Sequence, residues 1–192
     1  MSQIEYIMKL KYEITDIQHP ENPKLFRIRA LRDIPRFNVN AGDLGGYIEH
    51  EGNLSHDGDC WVGGSAQVYG NATLHVNVKV FDNARVYDNA YMRGDAQVFG
   101  NAHVYGGAHV FGGAKVFGNA RVFDSARVLG EVEINEFMQL SGWTSINSNK
   151  QLYYSDGVTI ILDFNKSTLV INGTPFNMDI EHHKMLARLK LS

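Results

Sequence analysis

A six-residue beat governs the middle of this chain. Cut from Asn53 in sixes, residues 53–142 read NLSHDG, DCWVGG, SAQVYG, NATLHV, NVKVFD, NARVYD and onward for fifteen units without a gap. The unit is a turn residue, Ala, a variable residue, Val, an aromatic, then Gly or Asp. Ala and Val lie two apart, so they share one face of a short strand while the variable residue and the aromatic face the other way. A constant bend after every strand needs a corner residue that tolerates left-handed backbone, a role suited to Gly and Asn.

Three such corners close a triangle of 18 residues, and 90 residues make about five coils. At the inter-strand spacing the prism is about 24 Å long. Residues spaced by 18 then stack inside: Val68, Val86, Val104 and Val122; Leu74, Met92, Val110 and Val128; Val80, Val98, Val116 and Ile134. All are apolar. An antiparallel meander would explain the alternation but not the unvarying step. The fold class expected is an all-β solenoid, a triangular β-helix; periodicity alone does not fix its handedness.

Three segments follow. Residues 1–52 hold the alternating runs KYEIT and LFRIRALRDI, expected as a β-hairpin and cap, because an open solenoid end exposes strand edges and bare core. The Gly- and Asn-rich NVNAGDLGGYIEHEGNLS is expected to turn the chain into the first coil. Residues 53–142 are the repeat. Residues 143–192 carry LYYSDGVTIILDF and STLVING, which read as strands with turns near Ser155–Gly157 and Asn165–Ser167. A helix is expected from Asn177, with Met178, Ile180, Met185, Leu186 and Leu189 supplying its buried side.

Charge excludes little but points away from polyanions. The net charge is −3, and the three segments carry 7, 6 and 5 basic against 8, 9 and 4 acidic residues. Neither nucleic acid nor a membrane is expected as partner. Cys60 is the only cysteine, so no intrachain disulfide or cysteine zinc cluster can form. The opening MSQIEYIMKLKYEI has no apolar core of the signal-peptide kind, and a cytoplasmic protein is expected. The triplets at Asn71, Asn165 and Asn172 match a glycosylation pattern that such a location leaves unused.

The outer faces carry the functional expectations. One shows Phe81, Phe99 and Phe117 beside Lys79 and Lys115, an apolar strip expected to be an interface for self-association as a dimer or trimer, or for another protein. Laddering or intrachain covering is the alternative. A second face shows Tyr69, Tyr87, Tyr105 and Phe123 beside Arg85, His103 and Arg121, a surface able to hold a small flat anion such as a nucleotide. A solvated face is the plainer alternative. The third shows His75, Arg93, Phe111 and Leu129 beside Tyr91, His109 and Arg127. The column Asn83, Asn101, Asn119 reads as a corner ladder.

Catalytic signals are sparse. Hexad prisms resemble the hexapeptide acyltransferases, in which an intersubunit histidine is the general base, and His75, His103 and His109 point outward. A trimeric acyltransferase-like enzyme is therefore the runner-up. Those enzymes usually interrupt the prism with a loop, and this run has none. The zinc-binding γ-class carbonic anhydrases share the architecture, but the set of a third His with supporting Arg, Asp and Gln is not recognisable. His182 and His183 are neighbours, a poor chelate on a helix. The outward pairs are not Thr-x-Thr, which argues against ice binding. No catalytic residue, metal or cofactor is assigned.

Residues 25–142, above all Ala41–Gly46 and Asp59–Val62, carry a family likeness. Arg29, Ala30, Leu31, Asp33, Ala41, Gly42, Asp43, Leu44, Gly45, Gly46, Glu49, Asn53, Leu54, Ser55, Gly58, Cys60, Trp61 and Val62 resemble the start of hexapeptide-repeat proteins common in phages, prophages and enterobacterial genomes. Those proteins are variously labelled polymer-forming or acyltransferase. The resemblance implies a left-handed β-helix of phage or prophage origin, and the C-terminal segment resembles the strand-plus-helix ending of phage members. From that origin comes the expectation of a non-enzymatic binding protein acting on a bacterial host factor such as a defence component.

Overall fold

A computed structural model describes residues 10–135, 138–142 and 145–147 in full, and the backbone of strands within 150–155, 158–163, 168–171 and 174–177. The central body is an all-β solenoid of three parallel sheets. Its inward residues stack as the beat requires. Val98 is the register partner of both Val80 and Val116, and Val104 of both Val86 and Val122. Met92 lies between Leu74 and Val110. The Ala positions, Ala84, Ala90 and Ala96 among them, are fully buried beside these columns, so a small residue and a larger one alternate across the interior.

The tyrosine sheet holds Gln67–Val68, Arg85–Val86, His103–Val104, Arg121–Val122 and Gln139–Leu140. The phenylalanine sheet holds Trp61–Val62, Lys79–Val80, Gln97–Val98, Lys115–Val116 and Glu133–Ile134. The mixed sheet runs from Leu54–Gly58 through Thr73–Val76, Tyr91–Gly94, His109–Gly112 and Arg127–Val128 to Ser145–Ile146.

Each corner is made by the sixth residue of the unit. Every described sixth position from Gly58 to Gly142 has positive φ, including Asp82 (60°), Asp88 (59°) and Asp124 (56°). Asp tolerates this backbone and returns a hydrogen bond: the amides of Gly100, Gly106 and Gly142 donate to the carboxylates of Asp82, Asp88 and Asp124 one coil away. Val76 adopts the same conformation at φ 68°, where a β-branched side chain is strained.

Two corrections to the sequence reading concern register. Leu54 is opposite Leu74, 20 residues on, whereas Gly58 is opposite Val76, 18 residues on. Two extra residues therefore bulge out between Leu54 and Gly58, and the unbroken beat starts at Asp59. His56, which strict hexads would send inward, belongs to the bulge. At the other end Ser145 and Ile146 pair with Arg127 and Val128, so the solenoid's parallel pairing continues past Gly142.

The N-terminal segment contains an antiparallel hairpin of β1 (Tyr12–Gln18) and β2 (Phe26–Ala30). β2 pairs antiparallel with β3 (Leu44–Ile48), and β3 pairs parallel with Gln67–Val68. The Gly-rich stretch around Leu44 is thus a strand of the tyrosine sheet, not only a turn into it. Close packing explains its composition: a Cβ on Gly45 would lie 2.6 Å from both Ile28 Cγ1 and the Val62 carbonyl oxygen. Leu25, Ile28 and Ile34 are fully buried, so the hairpin covers the core as well as the sheet edge.

Beyond the solenoid, Lys150–Ser155, Val158–Asp163, Thr168–Ile171 and Thr174–Asn177 form an antiparallel meander. The turns expected near Ser155–Gly157 and Asn165–Ser167 fall largely on residues outside the described ones. The last strand was not foreseen, and the helix expected after Asn177, with His182 and His183, lies outside the described residues.

Candidate functional surface

The third and fifth residues of each unit project outward. On the tyrosine sheet the fifth positions form a stack: ring centroids are 5.0 Å apart for Tyr69 and Tyr87, 4.9 Å for Tyr87 and Tyr105, and 5.1 Å for Tyr105 and Phe123, with planes within 5° of parallel. Parallel in-register pairing imposes this spacing, since equal side chains repeat at the inter-strand distance. Burial within the stack raises the Tyr87 hydroxyl to about 12, helped by neighbours Tyr69 and Tyr105.

Beside the stack, Arg85, His103 and Arg121 form a single column. Partial burial lowers the His103 pKa, and the flanking guanidiniums lower it further, so the imidazole is held neutral near pH 7. Among the described residues neither arginine is within salt-bridge distance of a carboxylate. Tyr69, Arg85, Tyr87, His103, Tyr105 and Arg121 are thus brought onto one face. Both faces of the Tyr87 and Tyr105 rings are occupied by neighbours, so a ligand there meets ring edges, hydroxyls and guanidiniums, not a free ring face.

The phenylalanine sheet repeats the arrangement. Phe99 stacks at 4.9 Å on Phe81 and on Phe117, and all three are half-buried. The Lys79 ammonium lies 4.8 Å from the Phe81 ring and 5.1 Å from that of Phe37, which belongs to the short turn Pro35–Phe37 of the cap. Arg36 of the same turn pairs with Asp95 at 2.7 Å. The cap therefore edges one end of the strip, and the rings of Phe99 and Phe117 continue it. Lys115 pairs with Glu133 at 2.9 Å alongside.

The mixed sheet differs. Tyr91 meets Phe111 edge-on at 5.6 Å, and His75 and His109 tilt against Tyr91 at 5.4 and 5.9 Å. His103 is on another sheet, so the three outward histidines do not converge within one chain. Among the described residues no three of His, Cys, Asp and Glu are grouped to hold a metal. The asparagine column is a ladder, with Asn83 donating to Asn101 and Asn101 to Asn119, each at 3.3 Å.

One polar cluster escaped the sequence reading. Lys11 is 0% exposed, and its Nζ donates to Cys60 Sγ at 3.1 Å and more weakly to the Gly58 carbonyl at 3.4 Å. Its backbone amide donates to His56 Nδ1, and the His56 ring stacks on Tyr12 at 4.4 Å. His56 Nε2 is buried without a partner. Cys60 occupies the inward position that is Ala in most units, and that departure from the repeat was the available signal.

These ladders on a repeating frame define a class, the β-solenoid repeat proteins. A family model described as YdcK Beta solenoid repeat matches residues 96–112, a stretch just short of one coil. No curated protein matches the chain. Among the described residues no helix is long and apolar enough to cross a membrane.

Proposed function

We propose that this chain is a non-enzymatic β-helical scaffold that self-associates through its phenylalanine sheet and presents its other faces to a partner. The observation that supports this reading is the half-exposed stack of Phe81, Phe99 and Phe117 on a flat, uninterrupted sheet. Flat sheets bearing registered apolar ladders dock on their own copies with little reorganisation, because the repeat makes the surface self-complementary. Light scattering on the full chain is expected to give a dimer or trimer. Phe99→Lys should lower the mass to that of one chain while circular dichroism stays unchanged. Phe99→Leu should keep the assembly. A folded Phe99→Lys protein of undiminished mass would remove the proposal.

The partner proposed is a protein of a bacterial host, met in the cytoplasm by a chain of phage or prophage origin. The support for that step is the likeness of residues 25–142 to phage hexapeptide-repeat proteins. A pull-down from host lysate tests it; the same host protein should be recovered by wild type and lost with a face-specific variant.

A second reading is favoured by Arg85 and Arg121, which pair with no carboxylate among the described residues and lie beside the tyrosine hydroxyls: sequestration of a nucleotide-like anion through charge and hydroxyl contacts. Thermal shift against a nucleotide panel tests it, with the double change Arg85→Ala and Arg121→Ala expected to abolish stabilisation.

A further inference from the structure

The cluster at the seam between cap and first coil combines three features. A lysine amine and a thiol are in direct contact, both fully buried. Among the described residues no carboxylate is within ion-pair distance of the amine, and its other acceptor is a carbonyl at 3.4 Å. The thiol lies under the bulge, in contact with the carbonyls of Ser55 and Asp57, and Asp57 and Gly58 are exposed, so a single backbone layer separates sulfur from solvent.

We propose that Lys11 and Cys60 form a covalent sulfur–nitrogen crosslink when the protein meets a peroxide. Burial pushes each group towards its neutral form, lowering the pKa of the Lys11 amine and raising that of the Cys60 thiol. The neutral amine keeps the lone pair that an electrophilic sulfur would accept.

The chemistry balances with hydrogen peroxide as the oxidant. Lys11 takes the thiol proton, and the sulfur attacks one peroxide oxygen. The S–O bond forms, the O–O bond breaks, and the departing hydroxide leaves as water with the proton returned from Lys11. Sulfur has lost two electrons to the peroxide and stands as a sulfenic acid, a species known to condense with nitrogen nucleophiles. The Lys11 amine then attacks sulfur, the S–N bond forms, the S–O bond breaks, and hydroxide leaves as a second water with an amine proton. Two equivalents of a small thiol reverse the bridge, restoring amine and thiol and forming one disulfide between them.

The consequence is mechanical. β1 begins beside Lys11, and Cys60 is the second residue of the first regular coil, so the bridge ties the cap hairpin to the solenoid across the bulge.

Mass spectrometry of the full chain decides the matter. After peroxide treatment and cleavage before Asp, residues 1–15 should be joined to residues 59–81, two hydrogens lighter than their sum, with fragmentation placing the link at Lys11 and Cys60. Added dithiothreitol should separate them. The linked protein should melt higher than the untreated one, and the gain should vanish with the reductant. Lys11→Arg and Cys60→Ser should each lose the linked peptide. Recovery of Cys60 unoxidised, or as sulfinic or sulfonic acid with residues 1–15 unlinked, would overturn the proposal. So would a linked peptide one oxygen heavier, because that bridge would not be sulfur–nitrogen. The result is independent of oligomeric state, so its failure leaves the scaffold reading standing.

Discussion

The regular coils and the first coil satisfy the same backbone by different means. From Asp59 onward, carbonyls facing along the prism accept from amides 17 residues earlier: Asp82 O from Ser65 N, Ala84 O from Gln67 N, Val98 O from Phe81 N. The interior can then be purely Ala, Val and Leu-like, because no side chain is asked for a polar contact. At the first coil the pattern fails, since the chain that should precede it bulges or turns away. Side chains take over. The Asn53 amide donates to Gly70 O and Ala72 O, both at 2.9 Å, while its Oδ1 accepts from the amides of Glu49 and His50. The Tyr12 hydroxyl donates to Leu54 O at 2.8 Å. Repetition supplies its own hydrogen-bond partners, whereas an end must be finished with individually placed polar groups.

The contrast can be broken most sharply at the corners. Gly58 and Gly100 have the same φ of 69°, but a Cβ on Gly58 would meet the Val76 carbonyl oxygen at 2.3 Å, against 3.1 Å for its nearest neighbour at Gly100. Gly58→Ala is expected to cost about 3 kcal/mol and Gly100→Ala about 1 kcal/mol by urea denaturation. Equal costs would mean that the bulge offers no special constraint.

Next in size is the asparagine pair. Asn53→Ala strands the buried Ala72 carbonyl, while the Gly70 carbonyl keeps its contact with His50 Nε2, and should cost about 2 kcal/mol. Asn101→Ala removes two rungs of an exposed ladder and should stay within about 0.5 kcal/mol. The same denaturation experiment separates them.

Val76 gives a change of opposite sign. It is a β-branched residue at an exposed corner with positive φ, and Val76→Gly should stabilise the fold by about 1 kcal/mol, read as a raised midpoint at unchanged slope.

The smallest effect is a pH dependence. Burial lowers the pKa of His56 in the bulge, and burial with Arg85 and Arg121 lowers that of His103 in the coils. Below the unperturbed value of 6.5 the unfolded chain takes up protons that the folded chain refuses. Stability should therefore decline as pH falls from 6.5 through the folded pKa values. His56→Gln and His103→Gln should each flatten part of that decline, measured by thermal melts across this range.

Much of the body was legible because it repeats. Val98 over Val116, the face assignments of Tyr87, Phe99 and His109, and the outward asparagine ladder all follow from counting by 18. Counting failed where the period changed. Nothing in NLSHDG marks it as a false hexad, since Leu54 and His56 are spaced like any Ala and Val. The reading also gave LGGYI to a turn, because glycines demanded by close packing look like glycines demanded by corners.

What the sequence determined by itself is the periodic core: a six-residue pattern of small and branched side chains has one way to stay dry along its whole length, and that is to stack on itself. Only the tertiary structure decided that the bulge follows Leu54 and that Lys11 reaches Cys60 across 49 residues. Local periodicity reports which residues share a face. It is silent on partners that are distant in sequence and belong to no repeat, because their meeting depends on how the finished ends close.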